Sequence, residues 1–325
     1  MRFIIYGTGA IGGALAARLT LSGFDVVAIA RGAMLDVIKA DGLRLRTPDG
    51  DLTAQFPVVA HPREIQFQPD DVILLTMKSQ DTRNALEALR AEGVRRQTIV
   101  CMQNGVANEP LALRYFDTVL GAVVMMPATY IAAGEVTAFG TPKHGLFDIG
   151  CYPSGTSGAV DTVCAALNAS GFAAYAHEDV MRGKYGKLFL NLANGIDSAL
   201  GAEARDGPWA QKARDEARAV YTKAGIAFDD VGAADPRREA LMQLGDVPGA
   251  ARVGSSAAQS LERGAGSIEV DYLNGEIAWL GRLHGVPTPV NAFFTDLAQK
   301  LVVAGKPPGS LSDAEVERAF AEWSA

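Results

Sequence analysis

The sequence predicts an α/β chain: a parallel sheet flanked by helices in the N-terminal half, then an all-helical C-terminal domain. Three observations predict it. Short apolar runs at Phe3–Tyr6, Asp25–Ala30, Asp71–Thr76 and Thr98–Met102 alternate with helical segments, the pattern of parallel strands joined by crossover helices. A glycine-rich turn, Gly7-Thr8-Gly9-Ala10-Ile11-Gly12, separates the first run from the first helix. After about Glu178 the apolar residues fall at helical spacing and the strand signal fades. A chain of 325 residues is long enough for two domains, expected at 1–178 and 179–325.

The first helix carries apolar periodicity over Ala14–Thr20 and stops at Ser22-Gly23. From Thr118 to Gly150 the text is strand-like, with Val136–Gly140 and Leu146–Gly150 expected as later strands at the edge of the same sheet. Helices are expected at Lys184–Leu200, Trp209–Ala224, Ala257–Arg263, Val270–His284 and Asn291–Val303. A final helix over Leu311–Trp323 opens on the cap Ser312-Asp313-Ala314-Glu315.

Composition excludes several classes. A net charge of -7 leaves no basic stripe for a phosphate backbone, so no nucleic-acid partner is expected. Cys101, Cys151 and Cys164 are scattered and form no Cys-x-x-Cys pair, which fits a reducing compartment. His61, His144, His177 and His284 show no ligand spacing, and no metal is expected. The N-terminal apolar run is broken at Gly7 and Gly9, too short for a signal peptide or a membrane span. A cytoplasmic protein with no membrane partner is the resulting expectation.

The glycine turn stands at a strand end and opens a helix, the context a Rossmann-type dinucleotide site requires. There Gly7 permits the turn, Gly9 lets backbone approach a pyrophosphate, and Gly12 lets helix pack on sheet. The end of the second strand reads Ala30-Arg31-Gly32, with no carboxylate for a ribose 2′-hydroxyl. An arginine there pairs with a 2′-phosphate, which favours NADP.

Four further segments carry candidate chemistry. Lys78 in Thr76–Gln80 and Asn104 in Cys101–Gly105 each lie just past a predicted strand, on the edge where open α/β sheets bind ligands. Lys187, Asn191 and Asn194 are spaced to share one face of an otherwise apolar helix, so they line a pocket or pair in the core. Glu269, Asp271 and Asn274 interrupt the last such pattern; Glu269 could face a ligand, while the other two could serve as local caps.

In this order, the Gly7/Gly9/Gly12 loop, Arg31, Lys78, Gln103-Asn104-Gly105, the Lys187…Asn191 helix, Ser255-Ser256-x-x-Gln259 and Glu269-x-Asp271-Tyr272-x-Asn274-Gly275 resemble the ketopantoate reductases from residue 1 to about 300. The resemblance implies NADPH-dependent reduction of a 2-oxo acid, ketopantoate to (R)-pantoate, towards pantothenate and coenzyme A. It makes Lys187 the general acid and gives Glu269 contacts with substrate and cofactor ribose. It also implies cofactor contacts from the Gly7–Gly12 loop (Gly7, Thr8, Gly9, Ala10, Ile11 and Gly12), Arg31, Lys78 and Asn104, and substrate contacts from Asn191 and Ser256; Asn194, three after Asn191 on the predicted face, is a further substrate-binding candidate. The family usually carries a second amide four residues after the first, where this chain has Gly195. Two alternatives stand beside this: a paralogous NADPH-dependent reductase of another 2-oxo acid or an imine, and a non-catalytic NADP sensor, which would not need Lys187 and Glu269. The apolar faces of the helical domain would suit a homodimer.

Overall fold

Strand β1 (Arg2–Tyr6) buries four consecutive residues, so both its faces must be covered and it sits inside a sheet. The computed structural model of the chain describes residues 1–232, 235–251, 254–264 and 266–325. It resolves into two units, Met1–Lys184 with Ala233–Ala251, and Tyr185–Gly232 with Arg252–Ala325.

In the first unit β1 leads through the glycine turn into α1 (Ala10–Leu21), then β2 (Asp25–Ile29) and α2 (Gly32–Asp41). A hairpin of β3 (Leu43–Thr47) and β4 (Gly50–Ala54) follows, then β5 (Val58–Val59), β6 (Val72–Leu75), α3 (Thr82–Ala91), β7 (Thr98–Cys101) and α4 (Asn108–Leu113). Next come β8 (Val119–Met125), β9 (Ala128–Thr129), β10 (Glu135–Ala138), β11 (Gly140–Pro142), β12 (Leu146–Cys151), α5 (Gly158–Ala169), β13 (Ala173–Ala176) and α6 (Val180–Asn191).

Eight strands form the main sheet in the order β13-β12-β8-β7-β6-β1-β2-β5. Every pair is parallel except β8 with β12. Successive side chains of β1 alternate between two cores: Phe3 and Ile5 join Leu15, Leu19 and Phe147 on one face, and Ile4 and Tyr6 join Leu75, Leu86 and Leu89 on the other. In register, Tyr6 lies beside Ile29 and Leu75, and Leu75 beside Cys101. The turns that begin at Gly7, Ala30, Thr76 and Met102 therefore emerge along one edge. Strand β1 has β2 on one side and β6 on the other, the topological switch point at which doubly wound sheets bind ligands.

One sequence expectation needs correcting. The Val136–Gly140 strand does not extend the main sheet: β10 pairs in parallel with β3, inside a second sheet of order β4-β3-β10-β9. The physical reason is the β3–β4 hairpin, whose exposed edge residues alternate with buried Leu43, Leu45 and Thr47 and need a partner sheet of their own.

The second unit begins within α6, at Tyr185; at Leu192 α6 gives way to α7 (Ala193–Leu200), followed by α8 (Pro208–Ala224). Helix α9 (Pro236–Leu241) and β14 (Met242–Leu244) belong to the first unit, where β14 pairs with β11. Arg237 fastens that excursion by bonding both oxygens of Asp148, at 2.7 and 2.8 Å. Helices α10 (Ser256–Glu262), α11 (Asn274–His284), α12 (Pro289–Val303) and α13 (Asp313–Ser324) complete the second unit. The Ser312–Glu315 capping box forms at the start of α13 as expected.

A polar stitch runs through this helical core. Asn274 donates to Leu192 O and to Asn291 Oδ1, both at 3.0 Å, and Asn291 donates to Ala213 O and Glu216 Oε2. Glu216 in turn accepts from the backbone N–H of Val290 and Asn291 at the start of α12, a carboxylate at the positive end of a helix.

Glu276, on the first turn of α11, is half-buried, and burial pushes its carboxyl up to about 7. A carboxyl raised in the folded state holds its proton more tightly there than when unfolded, so its ionisation costs stability as pH rises from about 4.5 through 7. Glu276→Gln is expected to raise stability at pH 8 by about 1–3 kcal/mol and to change it little at pH 4.5. Urea unfolding at the two pH values measures this; an equal effect at both would exclude it.

Candidate active site

The glycine turn is shaped by three different demands. Gly7 takes φ +104°, a conformation side chains disfavour. Gly12 lies so close to the strand end that a Cβ would overlap Gly7 O and Thr76 Oγ1. Thr76 Oγ1 itself donates to Gly7 O at 2.5 Å, and Gly7 N–H to Ile29 O at 3.0 Å, locking the turn to both neighbouring strands. Gly9 differs: its φ of -73° suits any residue, and a Cβ there would meet nothing within 4 Å. Backbone conformation and packing explain Gly7 and Gly12, whereas Gly9 stands at the N-cap of α1 with open space beside it.

That turn opens on a cavity of about 180 Å³ lined by Gly7, Thr8, Gly9, Ala30, Arg31 and Met77 among others. Gly9 is the N-cap of α1 and makes no side-chain cap, so the first N–H groups of the helix face the loop as anion donors. Arg31 follows β2, 71% exposed, with Asp81 Oδ1 at 3.9 Å. These residues fit a dinucleotide: donors for a pyrophosphate, and a guanidinium beside the ribose position.

The turns after β6 and β7, which carry Lys78 and Asn104, are cross-tied. Gln103 Nε2 donates to Met77 O and Thr82 Oγ1, both at 2.8 Å. Asn108 Nδ2 donates to Ser79 Oγ at 3.0 Å and Asn104 O at 3.1 Å, and its Oδ1 accepts from Thr82. Behind them Lys184 is paired with Glu109, both almost fully buried, and donates to Gln103 O at 3.0 Å. Burial pushes the Glu109 carboxyl up while Lys184 opposes the shift. Sequence reasoning missed Glu109, Asn108 and Lys184; the one available signal was that Lys184 precedes Lys187 by a single helical turn.

In the second unit, Lys187 and Asn191 lie one turn apart at the end of α6. The helix breaks at Leu192, so Asn194 stands on α7 rather than continuing the same helix. Asn191 is 9% exposed and its Nδ2 finds no partner among the described residues, an orphaned donor worth about 1–3 kcal/mol if left unmatched. Asn194 accepts from Arg205 at 3.2 Å through Oδ1. Asp197, also missed from the sequence, is buried and receives Arg205 at 2.5 Å and the Ser255 hydroxyl at 2.7 Å. Ser255 in turn caps α10, on whose first position Ser256 sits. Glu269 is buried just before the turn Val270–Tyr272. Gly195 packs against Asn274: a Cβ there would approach its Oδ1 to 2.7 Å. Among the described residues no cluster of His, Cys, Asp or Glu could hold a metal ion, and no helix is long and apolar enough to cross a membrane.

A glycine turn at the switch point of a parallel sheet, with Arg31 at the neighbouring strand end, defines a dinucleotide-binding protein of the Rossmann class. Residues 3–154 match the family described as Ketopantoate reductase PanE/ApbA, and residues 179–302 match its C-terminal counterpart. The chain belongs to the ketopantoate reductase family. The 2-dehydropantoate 2-reductase of Archaeoglobus fulgidus is 31% identical, covering 92% of this chain and 97% of its own, and that of Mesorhizobium japonicum is 30% identical over 93% and 98%. Among solved structures, the PanE/ApbA family ketopantoate reductase of Ralstonia eutropha aligns with a TM-score of 0.78 at 26% identity, over 94% of this chain and 99% of that one. A D-mandelate dehydrogenase bound to NADH and anilino(oxo)acetate shares the fold, with a TM-score of 0.78 at 23% identity over 94% and 99%.

The glycine geometry makes a paired prediction. Gly12→Ala should cost roughly 3 kcal/mol or more through overpacking against backbone, whereas Gly9→Ala should cost less than about 1 kcal/mol. Thermal unfolding of both variants without ligand decides it, and equal losses would remove the distinction.

Proposed function

We propose that this chain is an NADPH-dependent 2-dehydropantoate 2-reductase, converting ketopantoate to (R)-pantoate on the way to pantothenate and coenzyme A. One observation from the structure carries the reading: in a chain of this family, the turn at the start of α1 keeps open space beside Gly9, where a pyrophosphate can approach the backbone. When bound, NADPH supplies the hydride. The Gly7–Gly12 loop, with Thr8, Ala10 and Ile11, holds the pyrophosphate through backbone N–H groups. Arg31 pairs with the 2′-phosphate, and Lys78 and Asn104 hold the rest of the cofactor.

The helical unit supplies the groups that handle the 2-oxo acid. Negative charge develops on the carbonyl oxygen as its carbon is reduced; the Lys187 ammonium stabilises that charge and then gives the oxygen its proton. The Asn191 N–H, which has no partner among the described residues, donates to the substrate, and Asn194, whose Oδ1 accepts from Arg205, contacts it as well. Ser256 also contacts the substrate, and Glu269 orients it together with the cofactor ribose.

A second reading, reduction of a different 2-oxo acid or an imine, is favoured by Gly195. The family's usual amide cannot simply be restored there, because Asn274 Oδ1 occupies the space. The protein acts in the cytoplasm, and the exposed Trp279 and Leu283, four apart on α11, are the apolar surface a homodimer would use.

Purified protein should oxidise NADPH with ketopantoate, followed at 340 nm, faster than with other 2-oxo acids. Turnover confined to another member of the panel would establish the second reading. Lys187→Ala should lower kcat by about 10²–10⁴-fold while leaving NADPH affinity nearly intact; undiminished turnover would exclude Lys187 as the acid. Arg31→Ala should weaken NADPH binding far more than NADH binding, and equal losses would dissociate Arg31 from the 2′-phosphate.

A further inference from the structure

A buried ion pair needs a reason. Apolar side chains of similar volume are commonly as stabilising as a buried pair or more so, because the charges must first be stripped of water. Lys184 and Glu109 are 2% and 0% exposed, and Glu109 Oε2 has no partner among the described residues, so this pair is not optimised for stability. What the pair does hold is specific. Lys184 donates to the backbone carbonyl of Gln103, the residue whose side chain ties the turn after β7 to Met77 O in the turn after β6. Glu109 adjoins Asn108, which ties Asn104 O to Ser79 on the same two turns.

We propose that the buried Glu109–Lys184 pair is a positioning device for the dinucleotide: it sets the Gln103 carbonyl, and through Gln103 and Asn108 the two turns that present Lys78 and Asn104. The proposal rests on the NADPH reading above. Glu109 and Lys184 touch no ligand themselves and act through the backbone they hold. Strands β6 and β7 lie on the opposite side of β1 from β2, and Arg31 follows β2. Loss of the pair is therefore felt by the part of the cofactor that NADPH and NADH have in common, and not by the 2′-phosphate.

The test is calorimetric titration of the full chain with NADPH and with NADH. Removing one partner alone leaves a buried charge unmatched and risks unfolding, so the main variant is Glu109→Leu with Lys184→Met. This double variant should melt close to wild type and bind both cofactors about tenfold more weakly, the equivalent of one lost charge-assisted hydrogen bond. A folded double variant that binds both as wild type does would overturn the proposal. Glu109→Asp keeps both charges and draws the carboxylate back by one methylene, so it remains informative if the double variant does not fold. It too should weaken NADPH and NADH in parallel, and unchanged affinity, or a loss confined to NADPH, would overturn the proposal. Wild-type protein that binds neither cofactor would instead refute the dinucleotide reading itself.

Discussion

The approach of α1 to the end of β1 is the constraint on which the rest of the first unit depends. With no side chain at Gly12, the helix starts almost on the strand, and the Gly7 carbonyl is gripped by Thr76 from the next strand. Tyr6, Ile29, Leu75 and Cys101 fall into register from that point. Four turns then leave the sheet on one edge, the glycine turn and those that carry Arg31, Lys78 and Asn104. A helix displaced by a methyl group would shift its N–H donors relative to Arg31, Lys78 and Asn104 together. Stability and binding geometry are thus coupled at Gly12 and separable at Gly9.

What could be read from the sequence follows the range of the interactions involved. The glycine loop, Arg31 and the α13 capping box are local: the residues that make each feature lie within a few positions of one another, so composition and spacing suffice. The alternating burial of β1 and the helical spacing beyond Glu178 are likewise local patterns. The second sheet was not legible, because β3 finds β10 some ninety residues away and its half-exposed strands leave no long apolar run. Nor was the Glu109–Lys184 pair, since nothing near Glu109 in the chain announces a lysine 75 residues on. The spacing of Lys187, Asn191 and Asn194 was read as one helical face, but it spans a break at Leu192, whose backbone stays helical in conformation and so leaves no mark such as a proline.

Two lysines, Lys184 and Lys187, stand one turn apart on α6 and illustrate how environment sorts identical chemistry. Lys184 is enclosed, charge-matched by Glu109 and bonded to the Gln103 carbonyl; transferring its proton would strand a carboxylate in the interior, which electrostatics strongly disfavours. Lys187 is less enclosed, only partly buried. Asn191 sharpens the contrast, because an unmatched buried N–H is a standing cost that an oxygen-bearing ligand removes on binding. On the proposed reading, that cost would be relieved by a 2-oxo acid bound one turn from Lys187.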